Sequence, residues 1–568
     1  MTVASRRAFP ARLELLAFGA ILVLAAVLRL VDLPTRGTWD ADQGHDMLVL
    51  SGLIHGQFPL LGPPTSIGAF HHGVLYYVVL APAALVSGAD PIAVTGWIAV
   101  GGILAVAVTG WLARSIAGSL AGLIAALLMA VSASAVEESI FIWNPNLVAL
   151  SSSIALAAAW HAWQSRRARW WVVAGLASVV TMHCHVLGAI LTPVIAALLV
   201  ADVRRRRAAG DRAGVTAIGR AALGWLAIGV ISYVPLLVHE LATGGSEIQA
   251  ALAFVTTGGG SAGVSFPARV PIVALRVLGW PLTGLITAAP AATFMSAVLV
   301  GLLALWRGWL SRRGAEPATA TAAAAASAME MDADRSTTDE RTAVRWLSLG
   351  LVWTIVALTA GASGLATVIP GLPNDHYHAF ADPMVVVIVA IGLAALVRAG
   401  LAADRAAGAL ARVGPPIGAG AIVLGLVAWN LVHQPPRVVA DGGWPAAQRA
   451  AARVIDVIGS DGAILSSLPV FKSDEALRFP LQRAGVELAA PRPDRGVGQA
   501  DSATPRVVLC DQLFSSILNA DCGGTAEDRW VANPASNLAP PANADVGSLR
   551  PILRFEASPG RWISIYRP

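Results

Sequence analysis

His71-His72-Gly73-Val74-Leu75-Tyr76-Tyr77-Val78-Val79-Leu80-Ala81-Pro82-Ala83-Ala84-Leu85-Val86-Ser87 is the run on which the facing of the whole chain turns. Its apolar part, 73–87, is 15 residues long and contains Pro82. The hydrocarbon core of a bilayer takes about 20 apolar residues per helix, and shorter runs are more often interfacial or re-entrant. Arginine placement supplies a second test. If 73–87 does not span, the apolar runs at about 93–113, 118–136, 146–163, 169–185 and 187–202 put Arg114, Arg166-Arg167-Arg169 and Arg204 to Arg207 on the side of the N-terminus. That end carries Arg6, Arg7 and Arg12 ahead of the first span, at about 14–31. If 73–87 spans, every cluster falls on the other side. The positive-inside rule therefore selects a non-spanning 73–87 and a cytoplasmic N-terminus. No small-residue cleavage site follows the first apolar run, which reads as a retained helix rather than a signal peptide.

The composition around this run is 56% hydrophobic and 13% charged over 568 residues, with a mean hydropathy of +0.65. Soluble domains carry roughly 25% charged residues. Too few charged groups exist to coat a soluble surface of this size, which excludes a soluble globular enzyme; disordered, collagen-like and coiled-coil chains fall for the same reason. The net charge of +5 and pI near 9.5 would suit a nucleic-acid binder. The excess, however, is arginine clustered in short loops of one side, with Lys472 the single lysine. It is a topology signal, and no nucleic-acid partner is expected. Three cysteines exclude a disulfide-dense scaffold.

Further apolar runs at about 219–237, 288–309, 345–367, 380–399 and 416–432 bring the expected membrane helices to about 11. An interfacial segment is expected at about 269–286, and the alanine-rich, then acidic residues 311–344 read as a flexible cytoplasmic linker. An odd count places the C-terminus outside. Residues 433–568 are more charged, punctuated by Pro and Gly, and hold no spanning run. Short apolar strands at Ala463-Ile464-Leu465, Arg506 to Leu509 and Trp562 to Tyr566 alternate with helices at about 445–458 and 473–485. The expected fold is thus an all-α polytopic membrane domain over 1–432, with a first extracytoplasmic loop at 32–91, followed by a small α/β extracytoplasmic domain over 433–568. Cys510 and Cys522 lie in the latter, either as a disulfide, which an oxidising compartment permits, or as two thiols. Cys184 reads as a small core residue.

Sorted by side, the cytoplasmic ionisable residues are mostly loop arginines. The extracytoplasmic ones are few and clustered: Asp40, Asp42, His45, Asp46, His71 and His72 in the first loop; Glu137, Glu138, Trp143, Asn144 and Asn146; His239 and Glu240; and Asp375, His376, His378 and Asp382. Acids beside membrane helices are costly, so such residues usually face a cavity or a partner. Arg269 and Arg276, seven apart, share one face of the interfacial segment and suit a phosphate through their paired donors; anchoring to anionic headgroups is the plainer role for the same pair. His183-x-His185 and His376-x-His378 raise a metal, but alternate residues on a helix diverge, so no metal site is expected. The tryptophans at helix ends fit interfacial belts; Trp39 and Trp143 differ in lying beside the proposed polar groups.

The segment Asp40-Ala41-Asp42-Gln43-Gly44-His45-Asp46 resembles the acidic first loop of the GT-C membrane glycosyltransferases, nearest the protein O-mannosyltransferase-like (family 39) and aminoarabinose-transferase-like groups. Leu61-Gly62-Pro63-Pro64-Thr65-Ser66 leading to Gly73-Val74-Leu75-Tyr76-Tyr77 resembles their juxtamembrane helix. Trp143-Asn144-Pro145-Asn146-Leu147 resembles the second extracytoplasmic motif, and His376-Tyr377-His378 near Pro383 the late one. The likeness covers about 30–400. It implies sugar transfer from a polyprenyl-phosphate donor to a cell-envelope acceptor (lipid, polysaccharide or protein) outside the cytoplasm of a multi-pass inner-membrane protein, with inversion at the anomeric carbon and no required cofactor. A divalent ion, as in related oligosaccharyltransferases, is the alternative.

By the resemblance Asp42 is the general base, with Asp40 and Glu138 the other candidate catalytic acids. Arg269, Arg276, His376 and His378 are candidates for the donor phosphate, and Trp39, Gln43, His72, Tyr76, Trp143 and Asn146 for substrate contacts. Two positions depart from the family pattern: Gln43 stands where a Glu usually follows the Asp, and Asn146 where a second acid is usual. An amide cannot take the proton. Glu137, Glu138 or Asp40 would have to replace it, or catalysis has been lost. The rival classes are a transporter or flippase, which more often places its charges at the bilayer midplane, and a non-catalytic assembly scaffold.

Overall fold

The computed structural model describes residues 10–65, 70–256, 264–284, 287–310, 323–362, 365, 375–403, 408–459, 462–469, 473–489, 504–512, 521–532 and 550–567. The chain begins with α1 (Ala11–Leu30) and the single turn α2 (Leu33–Arg36), then α3 (Ala41–Ile54) and α4 (Leu75–Ser87). The bundle continues through α5 (Pro91–Ala117), α6 (Ser119–Val131), α7 (Ala133–Glu137), α8 (Val148–Ser165), α9 (Arg169–Cys184) and α10 (Leu191–Ala208). Next come α11 (Arg212–Ser232), α12 (Val234–Thr243), α13 (Ser246–Thr256), α14 (Phe266–Thr283) and α15 (Pro290–Leu305). Helices α16 (Ala323–Gly361), α17 (Asp382–Ala402) and α18 (Gly408–Val432) complete the membrane part.

Among the described residues, eight helical segments are long and apolar enough to cross a membrane: Ala11–Leu30, Pro91–Ala117, Val186–Ala208, Arg212–Ser232, Pro290–Leu310, Thr338–Gly361, Asp375–Ala402 and Gly408–Val432. The other three runs read as spans from sequence are α6, α8 and α9, of 13, 18 and 16 residues. They are too short or too polar to join the eight; α8 carries Ser151-Ser152-Ser153 and is largely buried. Helix α4 has 13 residues, so at 1.5 Å per residue it extends about 20 Å, well short of a hydrocarbon core of about 30 Å. Of the expected cytoplasmic linker over 311–344, residues 311–322 lie outside the described residues, and 323–344 are helical, as the leading part of the 39-residue α16. Its alanine, methionine and glutamate are good helix formers, and a continuous apolar segment follows to anchor them.

Polar groups inside the bundle are satisfied locally. Arg29, fully buried at the end of α1, donates to Ala25 O, Met129 O, Ala130 O and Ser139 Oγ, pinning α1 to the last turn of α6. Asp90 caps α5 through Ile92 N and Ala93 N. At the far end of α5, Arg114 pairs with Glu14 of α1.

Beyond Val432 the chain builds a second layer: α19 (Gly443–Ile458), β1 (Ala463–Leu468), α20 (Glu475–Arg483), β2 (Leu488–Ala489), β3 (Arg506–Asp511), α21 (Thr525–Ala532), β4 (Arg550–Ser558) and β5 (Arg561–Arg567). The sheet order is β2-β1-β3-β5-β4. β1 runs parallel to β2 and β3, while β5 is antiparallel to β3 and β4. Cys510 and Cys522 are joined, with Cα atoms 5.6 Å apart.

This α/β domain grips the start of α3. Trp39 lies 4.4 Å from Trp444 and 5.8 Å from Phe479 between ring centroids, and its Nε1 donates to Ala476 O at 2.8 Å. Asp441 accepts from Trp39 N and Thr38 Oγ1. Arg561 donates to Trp39 O at 2.8 Å and to Asp40 Oδ1 at 2.7 Å. Arg483 reaches Ala89 O at 2.7 Å and the Asp90 carboxylate at 3.3 Å.

Candidate active site

A cavity of about 200 Å³ opens where α3, the 62–73 loop, the Trp143–Pro145 turn, the Val186–Ile190 turn and the Asp375–Ala381 turn converge. Asp42, His45 and Asp46 face it from α3. They are spaced i, i+3 and i+4, which puts them on one side of a helix. Asp42 is exposed and sits in the first turn of α3, where the helix dipole favours its charge. Asp46 is buried, one turn deeper, and accepts from Tyr76 Oη at 2.7 Å and Tyr77 Oη at 2.8 Å. Burial pushes its carboxyl up to about 7, against the opposing effect of the two hydroxyls and the charge of His45. The two acids, one turn apart, thus occupy unlike environments.

The opposite wall is imidazole. His72 and His185 are 5.0 Å apart and His185 and His376 5.9 Å, between ring centroids; Trp143 covers His376 at 4.1 Å and Tyr377 covers His185 at 4.9 Å. Nδ1 of His72 accepts Val186 N–H at 3.2 Å, and Nδ1 of His185 accepts Leu187 N–H at 3.3 Å. An imidazole that accepts at Nδ1 carries its proton on Nε2. Both rings are therefore neutral Nε2–H donors. Burial, then the charge of His71, lowers His72 to about 3, in keeping with a neutral ring.

The loop that carries His72 is held from both ends. Gly62 N donates to His72 O and His72 N to Pro63 O, while His71 is clasped by Glu247 of α13 through its backbone and Nδ1. Gly73 is required sterically: a Cβ there would lie 1.8 Å from His183 Nδ1.

Of the sequence-derived candidates, Asp42, His72, Trp143 and His376 meet at the cavity. The others lie elsewhere. Asp40 caps α3 and pairs with Arg561. Gln43 closes the capping box and donates to Ile142 O, and Trp39 packs in the seam with the α/β domain. Tyr76 lies beneath the cavity on Asp46. Asn146 ties its own turn through Phe141 O. Glu138 is buried in a separate acid group; desolvation, then the charges of Asp382, Glu137 and Asp375, raises it and disfavours the anion a base must be. Arg269 donates to Val264 O. Arg276 is buried in a two-point ion pair with Asp375, at 2.9 and 2.7 Å, and His378 donates to the same carboxylate at 3.0 Å. Arg276 and His378 therefore brace the 375–381 turn, away from the cavity wall. The alternating histidines part company, with His185 and His376 at the cavity and His183 turned to Ser232 Oγ. Among the described residues no group of three or more His, Cys, Asp or Glu is arranged to hold a metal ion.

The sequence-derived site leaves out Asp46 and His185, which line the cavity, and Glu475, which stands behind His45. Asp46 and His185 were visible in the motifs, and only their burial and partners mark them out. Glu475, which bonds Nδ1 of His45 at 2.8 Å, comes from the α/β domain, and nothing in the sequence signals it.

The chain, a bundle of membrane helices followed by a small α/β domain, shares its fold with solved structures of the GT-C type. It is similar to crystal structures of ArnT from Cupriavidus metallidurans: in the apo state with TM-score 0.55 and 13% identity, and bound to undecaprenyl phosphate with TM-score 0.56 and 14% identity, each over 98% of both chains. An apo oligosaccharyltransferase from Archaeoglobus fulgidus aligns at TM-score 0.47 and 14% identity, over 88% of this chain and 70% of its own. No protein-family model and no curated protein sequence matches the chain.

Proposed function

We propose that this chain is an integral membrane glycosyltransferase that moves a sugar from a polyprenyl-phosphate carrier to a cell-envelope acceptor, with Asp42 as general base. The observation that carries the reading is the cavity itself: an exposed carboxylate at the N-terminus of α3 faces two imidazoles fixed as Nε2–H donors. The fold supports it, since ArnT of this fold has been seen bound to undecaprenyl phosphate.

The residues divide the chemistry between them. The acceptor hydroxyl attacks the anomeric carbon as its proton passes to Asp42. The bond from that carbon to the phosphate oxygen breaks, and the departing phosphate takes hydrogen bonds from His72 and His185 Nε2. Direct attack inverts the anomeric carbon. Trp143, half-buried beside His376, offers a face for the sugar ring. Arginine placement supports an extracytoplasmic reaction: α5 runs from Asp90, held by Arg483 of the α/β domain, to Arg114 at the other end of the bundle.

The test is Asp42→Asn, assayed with undecaprenyl-phosphate-linked mannose, glucose and arabinose in membranes from a deletion strain. A loss on the order of 10²-fold or more is expected. Transfer at the wild-type rate would remove Asp42 as the base.

A further inference from the structure

The α/β domain does more than rest on the bundle. Glu475, the first residue of α20, places Oε1 2.8 Å from Nδ1 of His45, and His45 lines the cavity one helical turn from Asp42. Ser473 Oγ donates to the other oxygen of Glu475, which fixes the carboxylate. The approach is as close as backbone allows: a Cβ on Gly44 would lie 2.1 Å from Glu475 O. Nε2 of His45 makes no hydrogen bond among the described residues. This is a carboxylate–imidazole pair with one nitrogen bound and the other open, assembled from two domains.

We infer that the α/β domain completes the catalytic centre: Glu475 is a positioning residue that holds His45 with Nδ1–H toward itself, and His45 carries away the proton that Asp42 collects. The inference rests on the transferase reading above. The acceptor oxygen bonds to the anomeric carbon, the bond from carbon to phosphate oxygen breaks with its electron pair on the phosphate, and the hydroxyl proton goes to Asp42. Asp42 then protonates Nε2 of His45. The imidazolium, neutralised by Glu475, releases its proton to water at the half-exposed seam, and both groups return to their starting state. The relay supplies what the amides at Gln43 and Asn146 cannot, a second proton-transferring group beside the base.

The charges that face His45 are Glu475 from α20 and Asp42 and Asp46 from α3, with Tyr76 and Tyr77 of α4 on Asp46; Arg478, paired with Asp474, acts on Glu475 rather than on the ring. Burial alone would lower the imidazolium; the hydrogen bond and charge of Glu475, then the charges of Asp46 and Asp42, outweigh it and leave it raised.

Two measurements on the full-length protein test the relay. NMR of protein carrying ¹³C-labelled histidine, with the His45 signal assigned from His45→Gln, follows the ring's titration. Glu475→Gln keeps a hydrogen-bond acceptor but loses the charge, and should lower the His45 midpoint by about one unit. Glu475→Asp should keep most of the shift. With the three undecaprenyl-phosphate donors above, Glu475→Gln and His45→Gln should each lose roughly 10- to 100-fold in rate at neutral pH, and Glu475→Gln should move the acidic limb of the pH profile down. An unchanged His45 titration in Glu475→Gln overturns the inference whichever donor is used. If Asp42→Asn is inactive while both other variants keep wild-type rates and pH dependence, the relay is overturned and the transferase reading stands. If Asp42→Asn retains transfer, it is the base assignment that fails.

Discussion

Gly44→Ala places two physical arguments in opposition. Gly44 lies inside α3, where helix propensity alone predicts a gain of about 1 kcal/mol from alanine. The tertiary contact predicts the reverse. The new Cβ would meet Glu475 O at 2.1 Å, Glu475 C at 2.3 Å and Ala476 N at 2.8 Å, all backbone atoms that no rotamer change can move. Ordinary contact begins near 3.4 Å, so α20 must retreat by about 1.3 Å. That would stretch the 2.8 Å bonds of Trp39 Nε1 to Ala476 O and of His45 to Glu475 to about 4 Å, beyond hydrogen-bond reach. Overpacking costs about 1–3 kcal/mol, and losing one neutral and one charge-assisted hydrogen bond about 2–4 kcal/mol more. The net expectation is destabilisation by at least about 2 kcal/mol. The readout is thermal unfolding of the detergent-solubilised protein followed by tryptophan fluorescence, with Trp39 and Trp444 of this seam among the 18 tryptophans. A melting temperature equal to or above wild type would refute the close approach, and with it the coupling of the α/β domain to α3.

Three further outcomes follow from the same contacts. Asp46 is raised in the folded protein to about 7, so the folded state holds a proton that the unfolded chain has released, and stability should fall as pH rises from about 4 to 7; thermal unfolding across that range should lose this slope in Asp46→Asn. Arg276→Ala leaves the buried Asp375 carboxylate without its cation and should cost about 3–5 kcal/mol in denaturant unfolding, with Arg276→Leu/Asp375→Leu recovering most of it. Cys510→Ser opens a loop of 12 residues and should cost the α/β domain about 3 kcal/mol, read as a lower unfolding midpoint that reductant reproduces in the wild type.

The fold was largely legible because its determinants are additive along the chain. Apolar run length located the helices, and the shortness and Pro82 of 73–87 match an α4 of 13 residues. Residues 323–344 look like a polar linker along the chain, yet the helix propensity of their alanines lets α16 run through them straight into an apolar segment. In the α/β domain, helices at 445–458 and 473–485 correspond to α19 and α20, while β2 and β4 give little signal, because a two-residue strand and one with a single buried residue leave little apolar pattern.

The site was legible only in part. Asp42, His72, Trp143 and His376 carry local signals, lying in short motifs at the ends of helices. Arg276 looked like a phosphate ligand because an arginine beside a membrane demands an anion; which anion it takes is invisible along the chain. Asp375 lies 99 residues away and satisfies it internally. Asp40 reads as a catalytic acid and Gln43 as a substrate contact because both lie in the acidic motif, yet each is occupied by capping α3.

The sequence alone therefore determined that this chain lives in a membrane, roughly where its helices lie, and which polar motifs are candidates for chemistry. Those properties sum from residue to residue, through transfer free energy and loop charge. The tertiary structure decided which of those polar groups are already paired and which face a cavity. It also decided that Glu475 meets His45 across 430 residues of chain. Hydrogen bonds and ion pairs act over about 3 Å of space, and only the folded chain sets those distances.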